Sequence, residues 1–172
     1  MNKLIEILNC DIKFGIGKKN GLLFVQPKDM AFFRKTTSGH VVALGENTLL
    51  SFPGSKPLPK RKHIVLSQDP THNYEGVINV HSFNEFLQAI KSELLNEDVY
   101  VIGGASIYRQ MLPYCDEVLL TKIDADGGAE VFFENLDESP LFSLVEASKP
   151  EEDNGRTIRF CKYINNKKRA IE

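Results

Sequence analysis

An α/β fold built on a largely parallel sheet is predicted by three features of the sequence. Strand-like and helix-like segments alternate along the chain. Val99–Ile102 is a continuous apolar run of the type buried on both faces of a parallel sheet. Two strand-like runs end on glycine, at Leu44-Gly45 and Ile102-Gly103-Gly104, and a helix-like segment follows each. The 172 residues amount to one domain, spanning 1–172, at about 150 residues per domain. With 42% hydrophobic and 26% charged residues the composition is that of a globular protein that builds its own core.

Leu4–Leu8 is the first strand. The segment Asn9–Gln26 reads as a long loop holding Gly15, Gly17 and Gly21, and loops of that length in compact domains are often functional. Pro27-Lys28-Asp29 opens a helix, with proline suited to the first turn and aspartate to the positive dipole end. Met30, Phe33 and Thr37 share one side of it. Val41–Leu44 is a strand, Gly45 a break and Asn47–Phe52 a short helix, and the turn-rich stretch Pro53–Pro59 leads to the strand His63–Ser67. Ser82 and Glu85 form a capping box ahead of a helix with the apolar stripe Phe86, Leu87, Ile90 and Leu94. After Gly104 a helix runs to Leu112, stopped by Pro113. Val118–Ile123, Phe142–Ala147 and Thr157–Ile164 are strands, the last two separated by the polar turn Glu151–Gly155.

The charge and cysteine content narrow the function. A net charge of −2 supplies no basic field for general nucleic-acid binding. No apolar run approaches the ~18 residues of a membrane span. The start Met1-Asn2-Lys3-Leu4-Ile5-Glu6 reaches an acid too early for a secretion signal. Cys10, Cys115 and Cys161 are odd in number and widely spaced, which suits reduced thiols in the cytoplasm. The histidines His40, His63, His72 and His81 lack metal-ligand spacing, so no metal is expected.

The two strand–glycine–helix junctions could hold phosphates, since glycine admits a ligand to the backbone and a helix start offers free N–H groups. Taken together they suit a dinucleotide, although neither is a GxGxxG or P-loop and each also serves as an ordinary turn. Asp29 lies in an otherwise apolar segment and is either a solvated helix-start acid or a buried carboxylate that pairs with a cationic or amidine-like ligand. Arg61, between Lys60 and Lys62, is either part of a solvated charge run or an anion contact.

Six segments in order resemble the dihydrofolate reductase family over nearly the whole chain. They are Gly15-Ile16-Gly17-x-x-Asn20, Pro27-x-Asp29-Met30-x-x-Phe33-x-x-x-Thr37, Gly45-x-x-Thr48-x-x-Ser51, Pro57-Leu58-Pro59-x-Arg61-x-x-Ile64-Val65-Leu66-Ser67, Ile102-Gly103-Gly104-x-x-x-Tyr108 and Leu120-Thr121-x-Ile123. The resemblance implies a central eight-stranded, mostly parallel sheet with an antiparallel C-terminal strand and helices on both faces. It implies reduction of 7,8-dihydrofolate by hydride transfer from NADPH, a monomer, and binding of antifolate inhibitors.

By the same resemblance Asp29 binds the amidine edge of the pterin and supports protonation at N5 through water, Thr121 bonds that carboxylate, and Leu23 and Phe24 precede the acidic helix at catalytic positions. Ile7, Met30, Phe33, Phe52, Leu58 and Ile102 form the ring walls, and Arg61 pairs with the substrate's glutamate carboxylate. Cofactor positions are Asn9, Ile16, Gly17, Asn20, Gly45, Glu46, Asn47, Thr48, Leu66, Ser67 and Gln68. They continue with Ile102, the cis-linked pair Gly103-Gly104, then Ala105, Ser106, Ile107, Tyr108 and Gln110. Gly15 to Phe24 matches the loop that closes over the nicotinamide.

Four departures stand out. Leu23-Phe24 replaces the common Pro-Trp, Asn9 replaces a small apolar residue, Glu130 replaces an aspartate, and Glu46 replaces the arginine that binds the 2′-phosphate of NADPH. An acid beside the adenosine ribose favours NADH, which makes NADH a possible cofactor, unless Glu46 only faces water at its helix start. Two rival readings are a same-fold pyrimidine reductase of riboflavin synthesis and a non-catalytic folate- or nucleotide-binding paralogue.

Overall fold

The computed structural model describes residues 1–19 and 21–172. In chain order its elements are β1 (Leu4–Cys10), β2 (Gly15–Gly17), α1 (Pro27–Thr37), β3 (Val41–Gly45), α2 (Glu46–Ser51), β4 (Lys62–Leu66) and β5 (Ile78–Val80). There follow α3 (Phe83–Glu93), β6 (Val99–Val101), α4 (Ala105–Met111), β7 (Glu117–Ile123), β8 (Val131–Phe132), β9 (Phe142–Ala147), β10 (Glu151–Asp153) and β11 (Arg156–Asn165).

The main sheet runs β10-β11-β7-β1-β6-β3-β4-β5, and β9 shares the outer edge of β11 with β10. Nine strands thus occupy eight positions. The pairs from β7 through β1, β6, β3 and β4 to β5 are all parallel, and only β11 and its edge partners run antiparallel. That is the architecture the sequence predicts.

The sheet divides the core. On one face Leu4, Val99, Val101 and Val118 pack with Phe86 and Ile90 of α3 and with Ile107 and Met111 of α4. On the other, Ile5, Ile7, Val42, Leu44 and Ile102 pack with Leu49 of α2 and Phe33 of α1. Successive residues of a strand point to opposite faces, so β1 serves both layers.

Several boundaries differ from the sequence reading. β1 continues to Cys10 because Leu8, Asn9 and Cys10 pair with Leu120, Thr121 and Lys122 of β7. Part of the expected loop after it is strand, since Gly15 pairs with Phe132 and Gly17 with Val131. Gly15 is required there: a Cβ would lie 2.3 Å from that of Ala129. α4 ends at Met111, and Leu112–Tyr114 closes as one tight turn around Pro113. The polar turn shrinks to Asn154-Gly155, both at positive φ, between β10 and β11.

That hairpin carries a cap the local sequence does not reveal. Gln26 precedes α1 but its side chain does not cap the first turn; instead its Nε2 donates to the Asp153 carbonyl at 2.6 Å. The Lys28 N–H donates to Asp153 Oδ2 at 3.0 Å, so a carboxylate 125 residues away closes the helix start. For α3 the expected Ser82 cap is present, accepting from the Glu85 N–H at 3.1 Å.

Candidate active site

Asp29 is placed by the first turn of α1 and is 9% exposed. Its Oδ1 accepts from Thr121 Oγ1 at 2.6 Å and its Oδ2 from Asn9 Nδ2 at 2.7 Å. Asn9 and Thr121 are register partners on β1 and β7, so two adjacent strands grip the two oxygens of one carboxylate. Of the two environments the sequence leaves open for Asp29, solvated or buried, the fold gives the buried one.

Asp29 faces a cavity of about 690 Å³. Ile7, Met30, Phe33, Phe52, Leu58 and Ile102 line it, as do Asn9, Ile16, Gly17, Gly103, Gly104 and Tyr108. A mostly apolar chamber with one carboxylate at its base suits a flat heteroaromatic ring that presents N–H donors on one edge. The Tyr108 hydroxyl donates to the Ile7 carbonyl at 2.8 Å and fixes the rear of the chamber.

Arg61 stands at the mouth. Its Nε donates to the Pro59 carbonyl at 2.9 Å and its Nη1 to Thr37 Oγ1 at 3.2 Å, which ties the proline loop to the end of α1. Burial and then the charge of Arg34 push its guanidinium below its ordinary value. His63 organises the same loop. Its Nε2 accepts from the Leu58 N–H at 3.0 Å while Nδ1 donates to the Arg61 carbonyl at 3.1 Å, and burial keeps the ring neutral by lowering its pKa.

A second cavity, of about 370 Å³, adjoins the first through Thr48, Gly104 and Ala105. Gly45, Glu46, Asn47, Leu66, Ser67, Gln68, Ser106, Ile107 and Gln110 complete its lining. The two strand–glycine–helix junctions meet here: the Gly45 N–H donates to the Gly103 carbonyl at 2.9 Å, and the Gly103-Gly104 peptide is cis. Neither α2 nor α4 has a side-chain cap, so the N–H groups of their first turns are left as donors toward this cavity. An extended phosphate-bearing ligand fits that donor set and the continuous groove.

Glu46 does not simply face water. Its Oε2 accepts from the Tyr74 hydroxyl at 2.5 Å and from His72 Nδ1 at 2.8 Å. The Tyr74 bond foremost pulls its carboxyl below the ordinary range, so an anion sits on the rim of the second cavity.

Not every predicted residue lines these cavities. Thr121 stands behind Asp29, bonded to it. Leu23 and Phe24 lie outside the lining: both pack against Gly127, and the Arg156 guanidinium stacks on the Phe24 ring at 4.5 Å. Asn9 does line the first cavity, but its side chain is turned to Asp29. Asn20 falls outside the described residues. Leu8, Lys18, Leu22, Arg34 and Val131 line the first cavity without having been singled out. Arg34 was legible one helical turn after Met30, whereas Val131 arrives by the short pairing of β2 with β8. Glu130 fastens the same region, accepting from the Lys19 N–H at 2.6 Å while its own N–H donates to the Gly17 carbonyl at 2.9 Å.

Residues 3–167 match the family model for dihydrofolate reductase. The dihydrofolate reductase of Bacillus subtilis (strain 168) is 36% identical over 150 residues, covering 86% of each chain. That of Haemophilus influenzae is 34% identical over 146 residues, covering 84% of this chain and 88% of that one. The solved structure of the dihydrofolate reductase from Enterococcus faecalis, complexed with NADP(H) and RAB-propyl, superposes with a TM-score of 0.82 at 30% identity, covering 95% and 96% of the two chains. On sequence and on fold alike, this chain is a member of the dihydrofolate reductase family.

Proposed function

We propose that the protein reduces 7,8-dihydrofolate to 5,6,7,8-tetrahydrofolate with NADPH as the hydride donor, acting as a single-domain cytoplasmic monomer and binding antifolates in the same cavity. The observation that carries this reading is the buried carboxylate of Asp29, gripped from β1 and β7 at the base of an apolar chamber that opens into a groove lined by two uncapped helix starts. When bound, the dinucleotide supplies the hydride. Gly45, Thr48, Ser67 and the Gly104–Ser106 turn would hold it along that groove.

The chain supplies position and electrostatics. Asp29 accepts the N–H groups of the pterin edge and fixes the ring in its plane. Phe33, Ile7, Phe52 and Ile102 pack on the ring faces and exclude water, while Leu22 and Val131 narrow the entrance. Arg61 meets the carboxylates of the substrate tail. Because Asp29 grips the ring edge remote from N5, the proton for N5 comes through water and not directly from the carboxyl.

Glu46 tempers the choice of cofactor. A like charge about 4 Å from a phosphate repels by up to about 4 kcal/mol at an effective dielectric of ~20. Held by Tyr74 and His72, it weakens the preference for NADPH over NADH without replacing it. Dihydrofolate-dependent oxidation of NADPH and of NADH, measured side by side, tests both statements. Turnover with neither, in folded protein that binds an antifolate, points to a binding paralogue. Glu46→Arg is expected to tighten NADPH selectively over NADH, and an equal effect on the two counts against the assignment.

A further inference from the structure

We infer that Asn9 is a positioning residue for the ring-binding carboxylate, setting which lone pairs of Asp29 remain for the ligand. The inference deepens the proposed function and rests on it. Its basis is the bond from Asn9 Nδ2 to Asp29 Oδ2 at 2.7 Å, opposite the bond from Thr121 Oγ1 to Oδ1 at 2.6 Å. A carboxylate accepts only, so the amide must present its nitrogen and not its oxygen to Asp29, which settles the orientation of the Asn9 side chain.

An ionised carboxylate has about four lone-pair sites, two on each oxygen. Thr121 occupies one on Oδ1 and Asn9 one on Oδ2, which leaves one on each oxygen for the cavity. That residue of acceptors matches a ring edge with two parallel N–H donors, as in a 2-aminopterin or a protonated 2,4-diaminopyrimidine. Thr121 alone leaves the carboxylate free to swing about its bond to Cβ. A second donor from the neighbouring strand fixes its plane, because β1 and β7 are locked in register through Asn9 and Thr121. Asn9 carries no other side-chain hydrogen bond among the described residues, so nothing else in the fold accounts for an amide lining an apolar chamber.

Two substitutions separate the donor from the bulk: Asn9→Ala removes both, and Asn9→Leu keeps the size but loses the N–H. Equilibrium binding of a 2,4-diamino-5-benzylpyrimidine and of NADPH is measured for each variant and wild type, together with KM and kcat for dihydrofolate. Loss of a charge-assisted bond predicts about a ten-fold weaker pyrimidine affinity in both variants, with KM rising by more than kcat falls. NADPH affinity should change by less than about two-fold, since the altered contact is made to Asp29. Unchanged pyrimidine affinity in both variants overturns the inference. So does an NADPH loss as large as the pyrimidine loss, which would return Asn9 to the cofactor. Wild-type protein that binds the pyrimidine yet shows no dihydrofolate turnover would overturn the proposed reaction alone, leaving the Asn9 comparison decisive on its own terms.

Discussion

Glu6 lies in the middle of β1, fully buried between Val101 and Val118 of the neighbouring strands. Neither carboxyl oxygen has a hydrogen-bond partner among the described residues, and the Cys115 thiol is the polar group beside it. Burial drives its pKa well above the ordinary 4.5, which favours the neutral form in the fold. A carboxyl with a raised folded value contributes fully below 4.5, and its contribution is lost as the pH rises toward that folded value. Within that interval the loss steepens toward about 1.4 kcal/mol per pH unit, the limit for a single proton.

Glu6→Gln removes the titration but keeps the unpaired polar atoms, and Glu6→Met, similar in volume, removes both. Urea unfolding of the three proteins at pH 5, 6, 7 and 8 gives the comparison. The gap between wild type and Glu6→Gln should widen with pH in favour of the variant. Glu6→Met should be the most stable at every pH, by a further 1–3 kcal/mol or so. A gap between wild type and Glu6→Gln that stays constant to within about 0.3 kcal/mol from pH 5 to 8 would refute the reasoning, because it would mean the carboxyl is not held neutral by the fold.

Asp29→Asn should lower dihydrofolate turnover by at least about a hundred-fold while NADPH affinity changes little; equal losses in both, by stopped-flow and equilibrium titration, would count against the assigned role. Arg61→Lys keeps the charge but loses the planar fork anchored on Pro59 and Thr37, so KM for dihydrofolate should rise about ten-fold with a much smaller effect on kcat. His63, whose folded pKa is lowered by burial, contributes stability above 6.5 that is lost as the pH falls. Wild type should therefore lose stability relative to His63→Leu as the pH falls below 6.5, read from denaturant midpoints.

The parallel sheet was legible because its strands are short apolar runs punctuated by glycine, a local pattern. Asp29 was legible as a candidate because a lone acid in an apolar segment is conspicuous, but its burial was not, since that depends on α1 lying against β1 and β7. Asn9 shows the limit most clearly. Its alternation with Ile5 and Ile7 could place it on the α1 face, yet only the register with Thr121 brings its amide to the carboxylate. Leu23 and Phe24 show the converse: the segment resembles a catalytic one, while the cationic partner that Arg156 offers the Phe24 ring from β11 has no local signal. Asp153 was hidden for the same reason, as a cap supplied 125 residues from the helix it closes.

The central position of β1 also governs how the molecule assembles. β1 comes first of these strands in the chain and finds its two neighbours only in Val99–Val101 and Glu117–Ile123. Until then Leu4, Ile5 and Ile7 stay without partners, exposed to aggregation or to chaperones. Closing so long a loop must precede its reward, which slows folding. A nascent chain stalled before Thr121 therefore lacks both the frame of the sheet and the hydroxyl that bonds Asp29.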